Sequence, residues 1–116
     1  MSTIIERSQD LIRIPSLSGQ EDAIQKYIKT TFEAEGLSPF FQDRNVVLHL
    51  KGRNSNKAFI LNSHVDVVDP GDETRWQTSP WEPTIRDDRL YGRGASDMKA
   101  GLAASMEVAT RLSKRE

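Results

Sequence analysis

The chain has 116 residues, with 16 Lys or Arg against 17 Asp or Glu, for a formal charge of −1. That length sets a ceiling of one domain with a modest core, and the lack of a basic excess argues against a nucleic-acid-binding surface. With no cysteine a disulfide scaffold and a thiolate metal site are both excluded, and no apolar run approaches the roughly 20 residues of a membrane span. The start, from Met1 to Ser8, carries charge where a signal peptide needs an apolar stretch, so a cytoplasmic globular protein is expected.

The first predicted element is a helix. Ile4, Ile5, Ser8, Leu11 and Ile12 share one helical face, and Thr3 with Glu6 has capping-box spacing. Pro15 stops it, because the residue before a proline is pushed out of helical geometry. After the break Pro15-Ser16-Leu17-Ser18-Gly19, a second helix is expected. Ser18 and Glu21 again have capping-box spacing, and Ile24, Tyr27, Ile28, Thr31 and Phe32 form its apolar stripe. Gly36 suits the left-handed position just past its end.

The period then changes to two. Residues 38–42 could form a short strand, although Pro39 confines it to an edge or a strand start. Residues 46–51 alternate better, with Val46, Leu48 and Leu50 on one side and His49 on the other. Gly52-Arg53-Asn54-Ser55-Asn56 reads as a polar hairpin turn. Ala58-Phe59-Ile60-Leu61 is a near-continuous apolar run, the pattern of a strand covered on both faces. From Asp69 to Pro83 the chain is loop-like, holding Trp76 and Trp81. Thr84-Ile85 and Arg89 to Tyr91 flank Asp87-Asp88 as a small hairpin. A last helix is expected from about Asp97 to Lys114, with Met98, Leu102, Met106, Ala109 and Leu112 as its apolar positions. The fold class is therefore α/β, a mixed sheet with helices packed on its faces.

Three segments could carry chemistry. In Ser63-His64-Val65-Asp66, extended backbone puts His64 and Asp66 on the same side, just past the end of the apolar run. A carboxylate beside an imidazole fixes its tautomer and raises the basicity of the other nitrogen, which suits a metal ligand. The plainer alternative is a polar loop at a strand end. In Gly92-Arg93-Gly94-Ala95-Ser96-Asp97-Met98-Lys99, a glycine-rich approach precedes a helix. Asp97 stands where the third glycine of a dinucleotide fingerprint belongs, and no Walker lysine follows, so phosphate binding is disfavoured. The plainer alternative here is that Asp97 caps the helix and the glycines form a tight turn. The third segment, Trp76 to Pro83, reads as a stiff loop forming an apolar lid or wall. Ser16 and Ser18 read as turn and cap residues.

Taken together and in this order, these segments resemble the N-terminal part of the M20 metallopeptidases. That group includes acetylornithine deacetylase, succinyl-diaminopimelate desuccinylase, aminoacylase and carboxypeptidase G. The similar stretch runs from Leu61 through Gly101, and Leu11-Ile12-Arg13-Ile14-Pro15-Ser16 with Ser18-Gly19-Gln20-Glu21 is similar to the family's opening. The resemblance implies that His64 ligates one of two divalent metals, usually zinc, with cobalt or manganese as alternatives. It implies that Asp66, the catalytic position of this segment, holds and polarises that imidazole, and that Asp97 bridges both metals. The bond from Asp97 to Met98 is expected to be cis, with Gly92 and Gly94 allowing a close backbone approach. Ala100 stands where many members have glycine, a small-for-small exchange.

The implied reaction is metal-assisted hydrolysis of an amide bond, in which two metals polarise the carbonyl and activate a water. The implied substrate is a small N-acylated amino acid or a dipeptide, with the deacetylase and desuccinylase branch closest. Neither nucleic acid nor membrane is an expected partner. In the family a Glu-Glu pair supplies the general base and a metal ligand, and a distant His completes the shell. This sequence holds no Glu-Glu dipeptide. The chain is therefore expected to be the N-terminal portion, over residues 1–116, of a zinc-peptidase-like catalytic domain, inactive by itself. The remainder of its own chain would be its partner, and homodimerisation would belong to the full-length protein. The competing expectation is a non-catalytic interaction or regulatory module that keeps half of a metal site.

Overall fold

A computed structural model describes residues 3–115. Helix α1 (Ile4–Arg13) starts as expected: Thr3 accepts from the Glu6 amide, and the Glu6 carboxylate accepts from the Thr3 amide, closing the capping box. It buries Ser8, Leu11 and Ile12, while Ile4 and Ile5 stay exposed. Helix α2 (Asp22–Ala34) buries Ile24, Ile28 and Phe32 and ends before Gly36, whose φ is +81°. Its predicted cap is not formed. Glu21 occupies the N-cap position without a side-chain cap bond, and Ser18 is turned elsewhere.

Helix α3 (Ala100–Ser113) brings Leu102, Ala103 and Met106 against Leu11 of α1 and the α2 stripe. This cluster is the core. Leu11, Ile24 and Ala103 have no exposed surface, and each buried aliphatic side chain of leucine size contributes about 1.5–3 kcal/mol. Leu112, predicted on the same face, is 46% exposed, because the buried stripe of α3 runs through Ala103, Met106, Glu107 and Thr110, and at 100° per residue Leu112 falls on the opposite side. The helix also begins later than its periodicity suggests. Ala95–Lys99 is a kinked turn in which Asp97 (φ −127°, ψ 95°) and Met98 (φ −136°, ψ 32°) leave helical geometry. Asp97 is thus not a helix cap.

The strands are short antiparallel ribbons. β1 (Phe40–Gln42) pairs with β2 (Asn45–Val47), Phe41 opposite Val46. β3 (Thr84–Arg86) pairs with β4 (Arg89–Tyr91) across Asp87 and Asp88, whose φ values of 52° and 60° match a two-residue hairpin turn. The fold is α/β, as expected, with these small sheets as its β part.

Two strand expectations are corrected. The hairpin turn falls between β1 and β2, not at residues 52–56, so the strand predicted over 46–51 stops at Val47. Residues 58–61 form no strand among the described residues, and Phe59 and Ile60 are 84% and 80% exposed. An apolar run becomes a covered strand only where neighbouring strands meet its backbone groups and other elements cover its faces. None of the described residues does so here.

Candidate functional site

Three stretches meet beside the helical core. The first is the break after α1, where the Ser16 carbonyl accepts from the Val67 amide at 2.8 Å and Leu17 forms a parallel bridge with Val67. The Ser16 hydroxyl donates to the Val65 carbonyl at 2.8 Å. Residues 63–67 are therefore held extended by a partner strand of only a few residues, and His64 and Asp66 project to one side as period-two geometry requires.

The third stretch is the Gly92–Lys99 turn. Gly94 has φ +84°, and a Cβ there would lie 2.6 Å from Val67 Cγ1. A Cβ on Gly92 would lie 2.7 Å from Ile12 Cγ2. Both glycines thus let the turn pack tightly, one against the His64 segment and the other against α1. Lys99 is almost fully buried and donates to the Ile14 carbonyl at 2.8 Å, tying the turn to the end of α1. Its ammonium lies 5.8 Å from the Trp81 ring, and burial pulls its pKa down to about 8. Arg93 stacks on Trp76 at 5.0 Å, while the Trp76 indole donates to the Pro70 carbonyl at 3.0 Å. The tryptophan loop is thus a wall bracing the turn.

This packing brings His64, Asp66 and Asp97 together. His64 Nδ1 faces Asp66 Oδ1 at 3.1 Å, and Nε2 faces Asp97 Oδ1 at 2.8 Å. The Met98 sulfur accepts from the His64 amide at 3.3 Å, so the residue after Asp97 grips the backbone of the histidine. The peptide bond between Asp97 and Met98 is cis, as the resemblance implies. Hydrogen bonding to Asp97, with Asp66 adding to it, raises the His64 pKa above its ordinary value. The Asp66 carboxyl is held below the usual range chiefly by the Ser18 hydroxyl.

The site is open: the Asp97 side chain is 86% exposed and that of His64 48%. An imidazole nitrogen and a carboxylate oxygen converging on one exposed spot form a donor pair of the type that zinc accepts. Asp66 behind the imidazole directs Nε2 outward. Among the described residues no three His, Asp or Glu side chains form a metal-holding group by themselves. The fit is that of part of a site. His49 is exposed, apart from this pair.

Two contributors were not visible in the sequence. Ser18 donates to Asp66 Oδ2 at 2.5 Å, and Lys99 anchors the turn that carries Asp97. The sequence signals for Ser18 are its place in the Ser18-Gly19-Gln20-Glu21 stretch and its alternation with Ser16 in a proline-started extended segment, and neither names Asp66 as its partner.

Residues 60–116 match the model of the peptidase family M20/M25/M40. The fold is similar to the crystal structure of an M20 family metallo-carboxypeptidase, Sso-CP2 from Sulfolobus solfataricus, with a TM-score of 0.81 and 26% identity. That likeness covers 97% of this chain and 27% of the other, so the chain spans about a quarter of the length of that structure. The matched family segment contains His64, Asp66 and Asp97. Both likenesses are to peptidases. No described helix is long and apolar enough to cross a membrane.

Proposed function

We propose that this chain is the N-terminal portion of the catalytic domain of a two-metal amidohydrolase, with zinc as its metal and cytoplasmic placement. The observation that carries this reading is the convergence of His64 Nε2 and Asp97 Oδ1 within 2.8 Å, inside the segment that matches the family. His64 and Asp97 would hold metal. Asp66 would keep the imidazole in the Nδ1–H tautomer, leaving the Nε2 lone pair for the cation. Bound metal supplies Lewis-acid polarisation of the amide carbonyl and a lowered pKa for water. The remaining donors and the proton-transferring glutamate would come from the rest of the protein.

The substrate would be an N-acylated amino acid or a dipeptide. Both present an amide whose nitrogen belongs to an amino acid with a free carboxylate. The likeness to a metallo-carboxypeptidase supports a substrate of that kind. The run at 58–61 is exposed and apolar. In this reading it is a surface that the remainder of the domain covers.

The test is to assay the full-length gene product, loaded with zinc, cobalt or manganese, on N-acetylornithine, N-succinyl-diaminopimelate and simple dipeptides. Metal-dependent release of the free amino acid from one of them is expected. Metal uptake without turnover of any would instead favour the non-catalytic module.

A further inference from the structure

Ser18 should close the second helix's cap, yet its hydroxyl is committed 48 residues away, to Asp66 Oδ2 at 2.5 Å. The diversion is built into the backbone. Ser16 pairs with Val67 through its carbonyl and with the Val65 carbonyl through its hydroxyl, which lays Leu17 alongside Val67 and sets Ser18 at the level of Asp66. The lost capping box is replaced locally. The Glu21 carboxylate accepts from the Gly19 amide at 2.7 Å and pairs with Arg44.

Asp66 therefore has a different partner on each oxygen: Ser18 on Oδ2 and the His64 ring, at 3.1 Å, on Oδ1. Nδ1 also faces the Asp66 backbone carbonyl at 3.2 Å, so a carboxylate free to rotate would leave the ring held from that side by backbone alone. With Ser18 donating to one oxygen, the other is held in the direction of Nδ1. On the opposite side of the ring Nε2 faces Asp97.

We propose that Ser18 is a positioning residue of the metal centre, whose hydroxyl orients Asp66 so that Asp66 presents His64 Nε2 toward the cation. The proposal rests on the reading of His64 and Asp97 as metal ligands. It extends the site to the segment before α2, which carries none of the ligands.

The experiment is a cobalt(II) titration of the full-length protein, followed by visible absorption, for the unsubstituted chain, Ser18→Ala, Ser18→Thr, Asp66→Asn and the Ser18→Ala/Asp66→Asn double variant. Proton NMR of the His64 Nδ1–H in the zinc-loaded protein, where metal takes Nε2, reports its bond to Asp66. Losing the orienting carboxylate itself weakens metal binding about 10–100-fold. Ser18→Ala should weaken it by less, about 3–10-fold on that scale, and should shift or broaden the Nδ1–H signal. Ser18→Thr, which keeps the hydroxyl, should restore both readouts. The double variant should be no weaker than Asp66→Asn, because the two groups act in series.

Unchanged affinity and Nδ1–H signal in Ser18→Ala would overturn the role of Ser18 while leaving the metal centre standing. Failure of the unsubstituted protein to bind cobalt would overturn the metal-centre reading, and with it this inference. If Ser18→Ala does not fold, Ser18→Cys, a weak donor of similar size, gives the same comparison.

Discussion

His64 Nε2 and Asp97 Oδ1 lie 2.8 Å apart although 33 residues separate them in sequence. The contact depends on two packing events, the seating of Val67 against Gly94 and the grip of the Met98 sulfur on the His64 amide. If the pair holds metal, His64→Ala and Asp97→Ala each remove a donor and should abolish uptake in a cobalt titration. Asp66→Asn, which leaves both donors in place, should reduce affinity only about 10–100-fold.

Acid should also release metal. The proton competes for the nitrogen that metal would use, and Asp97 raises the His64 pKa above the ordinary 6.5. Affinity should therefore begin to fall at a higher pH than for an isolated histidine, and keep falling as pH drops below the raised pKa. Titration at a series of pH values measures this. An onset at or below the ordinary value would contradict the arrangement.

Gly94 is where a single methyl should do most harm to the fold around the site. Alanine there would hold a left-handed backbone (φ +84°) and place Cβ 2.6 Å from Val67 Cγ1. The backbone term is about 1–2 kcal/mol and the overlap about 1–3 kcal/mol. Gly92→Ala overlaps Ile12 Cγ2 at 2.7 Å and makes ordinary contact with Ile12 Cδ1 and the Pro80 carbonyl, with no left-handed backbone, so the overlap alone applies. Urea denaturation should rank Gly94→Ala below Gly92→Ala, and the reverse order would contradict the packing described.

Lys99 makes a prediction about alkaline pH. Burial lowers its pKa from 10.5 to about 8. Between those values the unfolded chain keeps a proton that the folded chain has lost, so this residue makes stability rise with pH across the window. Lys99→Met removes the group. The urea midpoint of the unsubstituted chain should climb relative to that of Lys99→Met from pH about 8 to about 10; a constant difference would contradict the assignment.

Leu11 and Ile60 look equally apolar in the sequence but stand in opposite environments, with 0% and 80% of their surface exposed. Leu11→Ala should cost about 2–5 kcal/mol, whereas Ile60→Ala in this chain should stay within about 0.5 kcal/mol. Equal losses in a denaturation series would mean that 58–61 is covered after all.

The helices were legible because their cause is local. Thr3 and Glu6 close a box three residues wide, and Leu11, Ile24, Ile28, Leu102 and Met106 are set by helical spacing. The β3–β4 hairpin was legible for the same reason, since Asp87-Asp88 is a turn signal between two short apolar runs. The 58–61 run misled because a strand is made by its neighbours, and alternation cannot supply them.

By itself the sequence determined an α/β chain with a capped first helix, a tight hairpin and a His64-x-Asp66 pair on one side of extended backbone. It also carried Asp97 behind two glycines, and there two readings stood open, helix cap or ligand. Only the tertiary structure removed the first, by taking Asp97 out of helical geometry. Ser16 pairing with Val67, Gly94 yielding to Val67, and Lys99 reaching Ile14 pull three distant segments together. Asp97 thereby leaves the helix and faces His64, while Ser18 leaves its cap for Asp66. Side-chain spacing encodes which residues share a face of one element. Which elements meet depends on packing across tens of residues, and no local period records that.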